Sequence, residues 1–165
     1  MPVRLSKIAV TGASALFLLL VVFNNLTDYG SNFEFVQHVL SMDTTFPGNH
    51  GMWRALAHPV LHHVFYATII LWETVSCVLI GSGVAKLWAA RRSSAPVWQR
   101  AKNVAILGLT LSLLQWYVAF LAVGGEWFLM WQSRIWNGQE AAFRLFTMMG
   151  ISLVYLVLRD DELIV

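Results

Sequence analysis

Long apolar runs alternate with short polar bridges along this chain. Four runs stand out: residues 8–26 (IAVTGASALFLLLVVFNNL), 60–80, 104–123 and 141–158. A bilayer's hydrocarbon core, about 30 Å thick, is crossed by about 20 apolar residues in a helix. The pattern therefore predicts an all-α membrane protein, an antiparallel four-transmembrane-helix bundle forming a single domain over residues 1–165. Arg4 and Lys7 precede the first run, as basic residues precede the core of a signal peptide. The following VVFNNLTDYG offers no small-x-small cleavage site, so the run is expected to be a retained span.

The bridges carry patterns of their own. In the 29–57 bridge, Ser31-x-x-Glu34 has the form of a capping box. Phe33, Val36, Val39 and Leu40 then recur at helical spacing, which predicts a short helix on the membrane surface. TTFPGNHGM reads as a turn at Pro47-Gly48. The 124–139 bridge holds Trp127, Trp131 and Trp136, and indoles favour the headgroup layer. Short interfacial helices are thus expected at one end of the bundle.

Composition agrees with the pattern. Of 165 residues, 58% are hydrophobic and only 12% charged, too few to give a soluble domain its polar skin. The net charge of +2 is too small to imply a nucleic-acid partner; the lipid bilayer is the partner this composition demands. One cysteine, Cys77, excludes an intrachain disulfide and a cysteine metal centre. The basic residues are clustered. Arg4, Lys7, Lys86, Arg91, Arg92, Arg100, Lys102 and Arg159 fall at one end, against Arg54, Arg134 and Arg144 at the other. The basic end is expected to be cytoplasmic, which puts both termini inside and the 29–57 and 124–139 bridges outside. The basic bridge KLWAARRSSAPVWQRAK also suits anionic lipid, although topology alone accounts for it.

Polar groups inside spans are where function concentrates. Glu73 interrupts the second run. Matching depths nominates Ser14 in the first span, Thr110 and Ser112 in the third and Ser152 in the fourth as its hydrogen-bond partners. A second polar layer is expected near the outer face: Asn24, Asn25, Asp28, His58, His62, His63, Glu140 and Arg144. Glu140 and Arg144 have the i, i+4 spacing of a helical ion pair. Asp28 is within reach of Arg144 or Arg54.

His58 and His62 also stand at i, i+4 and make a weak candidate metal pair, but the segment reads His-Pro-Val-Leu-His and lacks the HExxH pattern. Glu73 lies about 16 Å beyond His62 along a helix, too far to share an ion. Haem held by two histidines needs ligands on separate helices, and spans one, three and four contain none. No nucleophile–base pair and no nucleotide fingerprint is visible. No cofactor is therefore predicted; haem or quinone remains only as a secondary reading. Small multidrug transporters also have four spans and an intramembrane Glu, but they carry it in the first span, which here has no carboxylate before Asp28.

Two stretches, NNLTDYGSNFEFVQHVLSMDTTFPG after the first run and WRAL–HP–LHH–FY–II–WE into the second, resemble a bacterial domain-of-unknown-function family of predicted small integral membrane proteins. The resemblance covers nearly the whole chain. It implies a four-helix protein of a bacterial inner membrane and supplies no activity. The leading functional expectation is a non-catalytic accessory or assembly subunit of a larger membrane complex, such as a respiratory one, with other subunits or further copies of itself as partners. The alternatives are a quinone- or haem-associated anchor, and a small proton-coupled transporter in which Glu73 titrates.

Overall fold

The structure, a computed structural model, describes residues 1–160. Among the described residues, four helical segments are long and apolar enough to cross a membrane: Pro2–Thr27, Pro59–Ala90, Ala95–Trp127 and Gln139–Val157. Helix α1 (Pro2–Thr27) begins on a proline, which costs nothing where the first N–H groups lack partners anyway. A turn at Asp28 leads directly into α2 (Tyr29–Ser41). Helix α3 (Pro59–Ala90) also opens on proline. The third span comprises α4 (Ala95–Ala101), α5 (Asn103–Leu114) and a wider π-helical segment (Gln115–Trp127), and α6 (Gln139–Val157) completes the set.

The membrane helices pack in the cyclic order α1, α3, α5, α6. Each neighbouring pair tested by contacts is antiparallel. The Cys77 thiol points at the Ala15 carbonyl while Asn25 meets Glu73. Ser14 bonds Ser152 while Lys7 reaches Leu158. Between α3 and α5 the backbones touch. A methyl group on Gly83 would lie 2.6 Å from the Ala105 nitrogen, and one on Gly108 would lie 2.8 Å from the Ile80 nitrogen. Small residues permit this approach, which is how membrane helices gain van der Waals contact without a hydrophobic driving force.

Two cores result. One fills the bundle with Leu18, Ile80, Leu87, Trp98, Leu109 and Met149. The other lies between α2 and α3 and is built from Val36, Val39, Leu40, Tyr66, Ile70 and Met130. Leu19, Leu20, Leu71, Val78, Ile151 and Val154 remain exposed, as lipid-facing side chains should.

Several expected boundaries shift. The second span runs ten residues past residue 80, to Ala90, because Gly83, Leu87 and Ala90 stay buried and keep the helix docked. Its 32 residues rise about 48 Å, more than the hydrocarbon core needs. The basic bridge is accordingly short, and Trp98 within it is wholly buried in α4. The capping box does not form. Helix α2 starts at Tyr29, before Ser31, and the Ser31 hydroxyl donates instead to Asp28 Oδ2 at 2.8 Å. The apolar stripe of α2 is turned onto the protein's second core rather than onto lipid alone, since Val36, Val39 and Leu40 are buried there.

Candidate functional site

Glu73 is on the stripe of α3 that faces inward, with His62, Tyr66, Ile70 and Ser76 on the same buried side. Only 1% of it is exposed. The amide of Asn25, in the last turn of α1, donates to Glu73 Oε2 at 2.6 Å. Asn25 in turn accepts on Oδ1 from Asn32 of α2 at 2.8 Å and from the Tyr66 hydroxyl at 3.3 Å. An amide is well suited to the centre of this cluster, because its oxygen accepts while its nitrogen donates. Three helices thereby converge on one carboxyl, and α2 roofs it.

Above this layer stands a group of rings. Phe33 stacks on His63 with centroids 4.1 Å apart, and Tyr29 lies 4.6 Å from Tyr66. The Tyr29 hydroxyl and His63 Nδ1 are 2.9 Å apart. These contacts fasten α2 to the first two turns of α3.

The partners expected for Glu73 lie elsewhere. Ser14 and Ser152 bond each other at 3.2 Å, joining α1 to α6. Ser112 is wholly buried, and its hydroxyl has no hydrogen-bond partner among the described residues. Thr110 is only half-buried and has no hydrogen bond to Glu73 among the described residues. Matching residue counts from the span starts misplaced the carboxyl because α3 rises well above the end of α1. Glu73, fourteen positions past Pro59, is therefore level with the last turn of α1.

The expected outer polar layer separates into several local arrangements. Asn25 belongs to the Glu73 cluster, whereas Asn24 is exposed. His58 caps α3, its Nδ1 accepting from the Val60 N–H at 3.3 Å. His62 Nε2 lies 2.7 Å from the Leu56 carbonyl, so that nitrogen is engaged by backbone. Among the described residues no three His, Cys, Asp or Glu side chains converge to hold a metal. Asp28 pairs with Ser31 rather than with an arginine. Arg54 sits over Trp53 and Trp127, 5.7 and 5.6 Å from the ring centroids. The expected Glu140–Arg144 ion pair does not form: both side chains are exposed, where water competes for them, and neither is among the ion pairs of the described residues.

A second buried site, at the basic end, was read in the sequence only as topology-setting charge. Asp160 Oδ2 accepts from Lys7 at 2.9 Å, Lys102 at 2.6 Å and the Trp98 indole at 2.7 Å. Both lysines also reach the Leu158 carbonyl. Lys7 and Lys102 are 2% and 1% exposed. Burial opposes ionisation of Asp160, but the hydrogen bonds from Lys102, Lys7 and Trp98 outweigh it and hold the carboxyl down to about 2. The cluster clasps the chain after α6 to α1 and α4. Nothing in the local sequence marks it, since its side chains lie 58 or more positions apart except within the Trp98–Lys102 turn.

A cavity of about 420 Å³ opens between α2, α3 and the π-helical segment. Its walls are almost wholly apolar, with Phe35, Val39, Phe65, Trp72, Phe120 and Val123 among them and Thr68 as a polar exception.

The family model described as predicted small integral membrane protein (DUF2165) matches residues 3–159. The chain belongs to this family. No curated protein and no solved structure matches it. The two stretches that carry the family resemblance turn out to be the two halves of the Glu73 site. NNLTDYGSNF supplies Asn25, Tyr29, Asn32 and Phe33, and HP–LHH–FY–II–WE supplies His62, His63, Tyr66 and Glu73. In this family member those stretches are brought together by the turn at Asp28, which folds α2 back over α3.

Proposed function

We propose that this integral membrane protein is a non-catalytic accessory or assembly subunit of a larger membrane complex. The observation that supports it is the construction of the cap formed by α2 and the two loops beside it. Its parts are cross-braced. Thr44 donates to Ser133 at 2.8 Å, the Phe46 N–H to Gln132 at 3.1 Å, and His38 stacks on Trp136 at 4.6 Å. Yet Trp53 and Ile135 are each 76% exposed on this cap, and Phe46 is 52% exposed. A braced element presenting large apolar side chains suits a protein partner, because little ordering entropy is lost on docking. The Asn25–Glu73 cluster holds α2 in place, and the Asp160 cluster holds the chain after α6 against α1.

The basic end carries Arg4, Lys7, Arg91, Arg100 and Lys102, so by the positive-inside rule it belongs in the cytoplasm of a bacterial inner membrane, with the cap outside. Reporter fusions at the C-terminus should be active only in their cytoplasmic form. The complex itself is tested by extracting native membranes in a mild detergent and identifying what co-purifies by mass spectrometry. A stoichiometric partner lost in a Trp53→Ala, Ile135→Ala variant is the expected result. A lone monomer or a homo-oligomer overturns the accessory role.

A second reading, a quinone-associated anchor, draws on the cavity of about 420 Å³, which is within the size range of ligand pockets and lined for hydrocarbon. Organic extraction of the purified protein should then yield quinone at close to one per chain, and Phe120→Trp should remove it.

A further inference from the structure

We propose that α3 and α5 enclose a water-binding site in the middle of the bundle, lined by Ser76, Ser112, Gln115 and Trp116. The inference does not depend on the accessory role. It begins with four polar atoms: Ser76 Oγ, Ser112 Oγ, Gln115 Oε1 and Trp116 Nε1 are buried and have no hydrogen-bond partner among the described residues. Ser76, Ser112 and Gln115 are 0% exposed and Trp116 is 6% exposed. Leaving such groups unsatisfied in hydrocarbon is unfavourable, because each loses its bonds to water and gains none in return. A serine in a helix can satisfy its hydroxyl on the carbonyl four residues back, as Ser14 and Ser152 do here. Ser76 and Ser112 do not.

Helix register places the four residues within about one turn of each other along the α3–α5 seam. Gly83 meets Ala105, and Gly108 meets Ile80. One turn further along each helix, in opposite directions, Ser76 comes opposite Ser112. On α5, Gln115 and Trp116 follow Ser112 by three and four positions, so they project from the same side. The Gln115 amide nitrogen already donates to the Ile69 carbonyl at 3.2 Å, which fixes its head group beside α3 and leaves the oxygen free. Glu73 precedes Ser76 by three positions on α3, within one turn. The set holds a donor-only indole, an acceptor oxygen and two hydroxyls that serve as either. This is the complement one or two water molecules need, since buried water makes about three hydrogen bonds. The occupant's chemical class is therefore water, placed one helical turn from Glu73. The backbone widens to π geometry from Gln115 onward, beside this site, and π segments are frequent at functional positions.

The test is brief X-ray radiolysis of the full chain in lipid nanodiscs, with labelling read by peptide mass spectrometry. Hydroxyl radicals form where water sits, so a hidden side chain is labelled only if water lies beside it. Met149, 1% exposed within the apolar core, is the dry control and is intrinsically reactive. Trp116 should be labelled about threefold faster than Met149 or more, as a water-contacting group. Ser76→Ala combined with Ser112→Ala should cut Trp116 labelling about threefold while leaving exposed Trp127 unchanged. Labelling of Trp116 no faster than Met149 overturns the site, and that comparison in the unmodified chain decides the matter even if the double variant fails to fold. Unchanged Trp116 labelling in a folded double variant overturns it as well.

Discussion

Asn25 and Glu73, 48 positions apart, are joined by a 2.6 Å hydrogen bond from amide nitrogen to carboxyl oxygen inside the bundle. The bond ties the last turn of α1 to the middle of α3, and Asn32 extends it to α2. Interhelical hydrogen bonds in membranes average about 0.6 kcal/mol and reach about 1.7. Glu73→Gln keeps an acceptor oxygen and should shift unfolding by less than about 0.5 kcal/mol. Glu73→Ala and Asn25→Ala should each cost about 1–2 kcal/mol, because each leaves its partner buried and unpaired. Unfolding in detergent would measure these values, and a double-mutant cycle should show coupling near 1 kcal/mol. Additive single effects would disprove the tie.

The clasp at Asp160 makes stability depend on pH in a defined direction. The carboxyl is held at about 2 in the folded protein against an ordinary 3.8. A depressed carboxylate stabilises fully above its unfolded value and loses that contribution as pH falls through the folded one. The clasp should therefore hold above about pH 4 and release toward pH 2, a change of roughly 2 kcal/mol. Protease accessibility of the C-terminus across that range would follow it.

Neutralising the same residue at pH 7 should be worse than removing the whole cluster. Asp160→Asn leaves Lys7 and Lys102 buried without their counter-charge and should cost about 3 kcal/mol or more. Replacing all three with apolar residues of similar size should recover much of that loss. Comparing melting temperatures of the single and triple variants checks it.

Close approach of α3 to α5 predicts opposite outcomes at two glycines two positions apart. Gly83→Val drives its side chain into the Ala105 backbone and should cost about 1–3 kcal/mol. At Gly81 no atom lies within 4 Å of an added methyl, so Gly81→Ala should be neutral or stabilising by up to about 1 kcal/mol.

In the cap, Trp136 stacks on His38 with rings 11° from parallel. Trp136→Ala should lose about 1 kcal/mol of local contact and free the 130–138 segment from α2. Limited proteolysis should then cut that segment faster while the helical bundle's unfolding temperature stays put. Equal softening of both would mean that cap and bundle are one cooperative unit.

The legible and the hidden parts of this protein divide along a physical line. The four spans and the inward-facing Glu73 were readable because bilayer thickness and the cost of burying charge act on local sequence. The histidines were readable as polar residues near a helix end, but their partners were not. His62 finds a backbone carbonyl and His63 a ring on α2, choices that depend on how α2 folds back. The Ser31–Glu34 pattern misled because Asp28 starts the helix earlier and takes the serine for itself.

Sequence by itself therefore determined that this chain spans a membrane four times, which ends of the spans are basic, and that a carboxyl at Glu73 lies within a span. Hydropathy is a property of each residue and needs no neighbour. Tertiary structure alone decided that Glu73 meets Asn25 rather than Ser14, Thr110 or Ser112, and that Lys7 and Lys102 converge on Asp160. Those pairings depend on the relative height of helices. Height is set by the small-residue contacts of Gly83 and Gly108 and by the return of α2 over α3, and none of these is local to the residues they bring together.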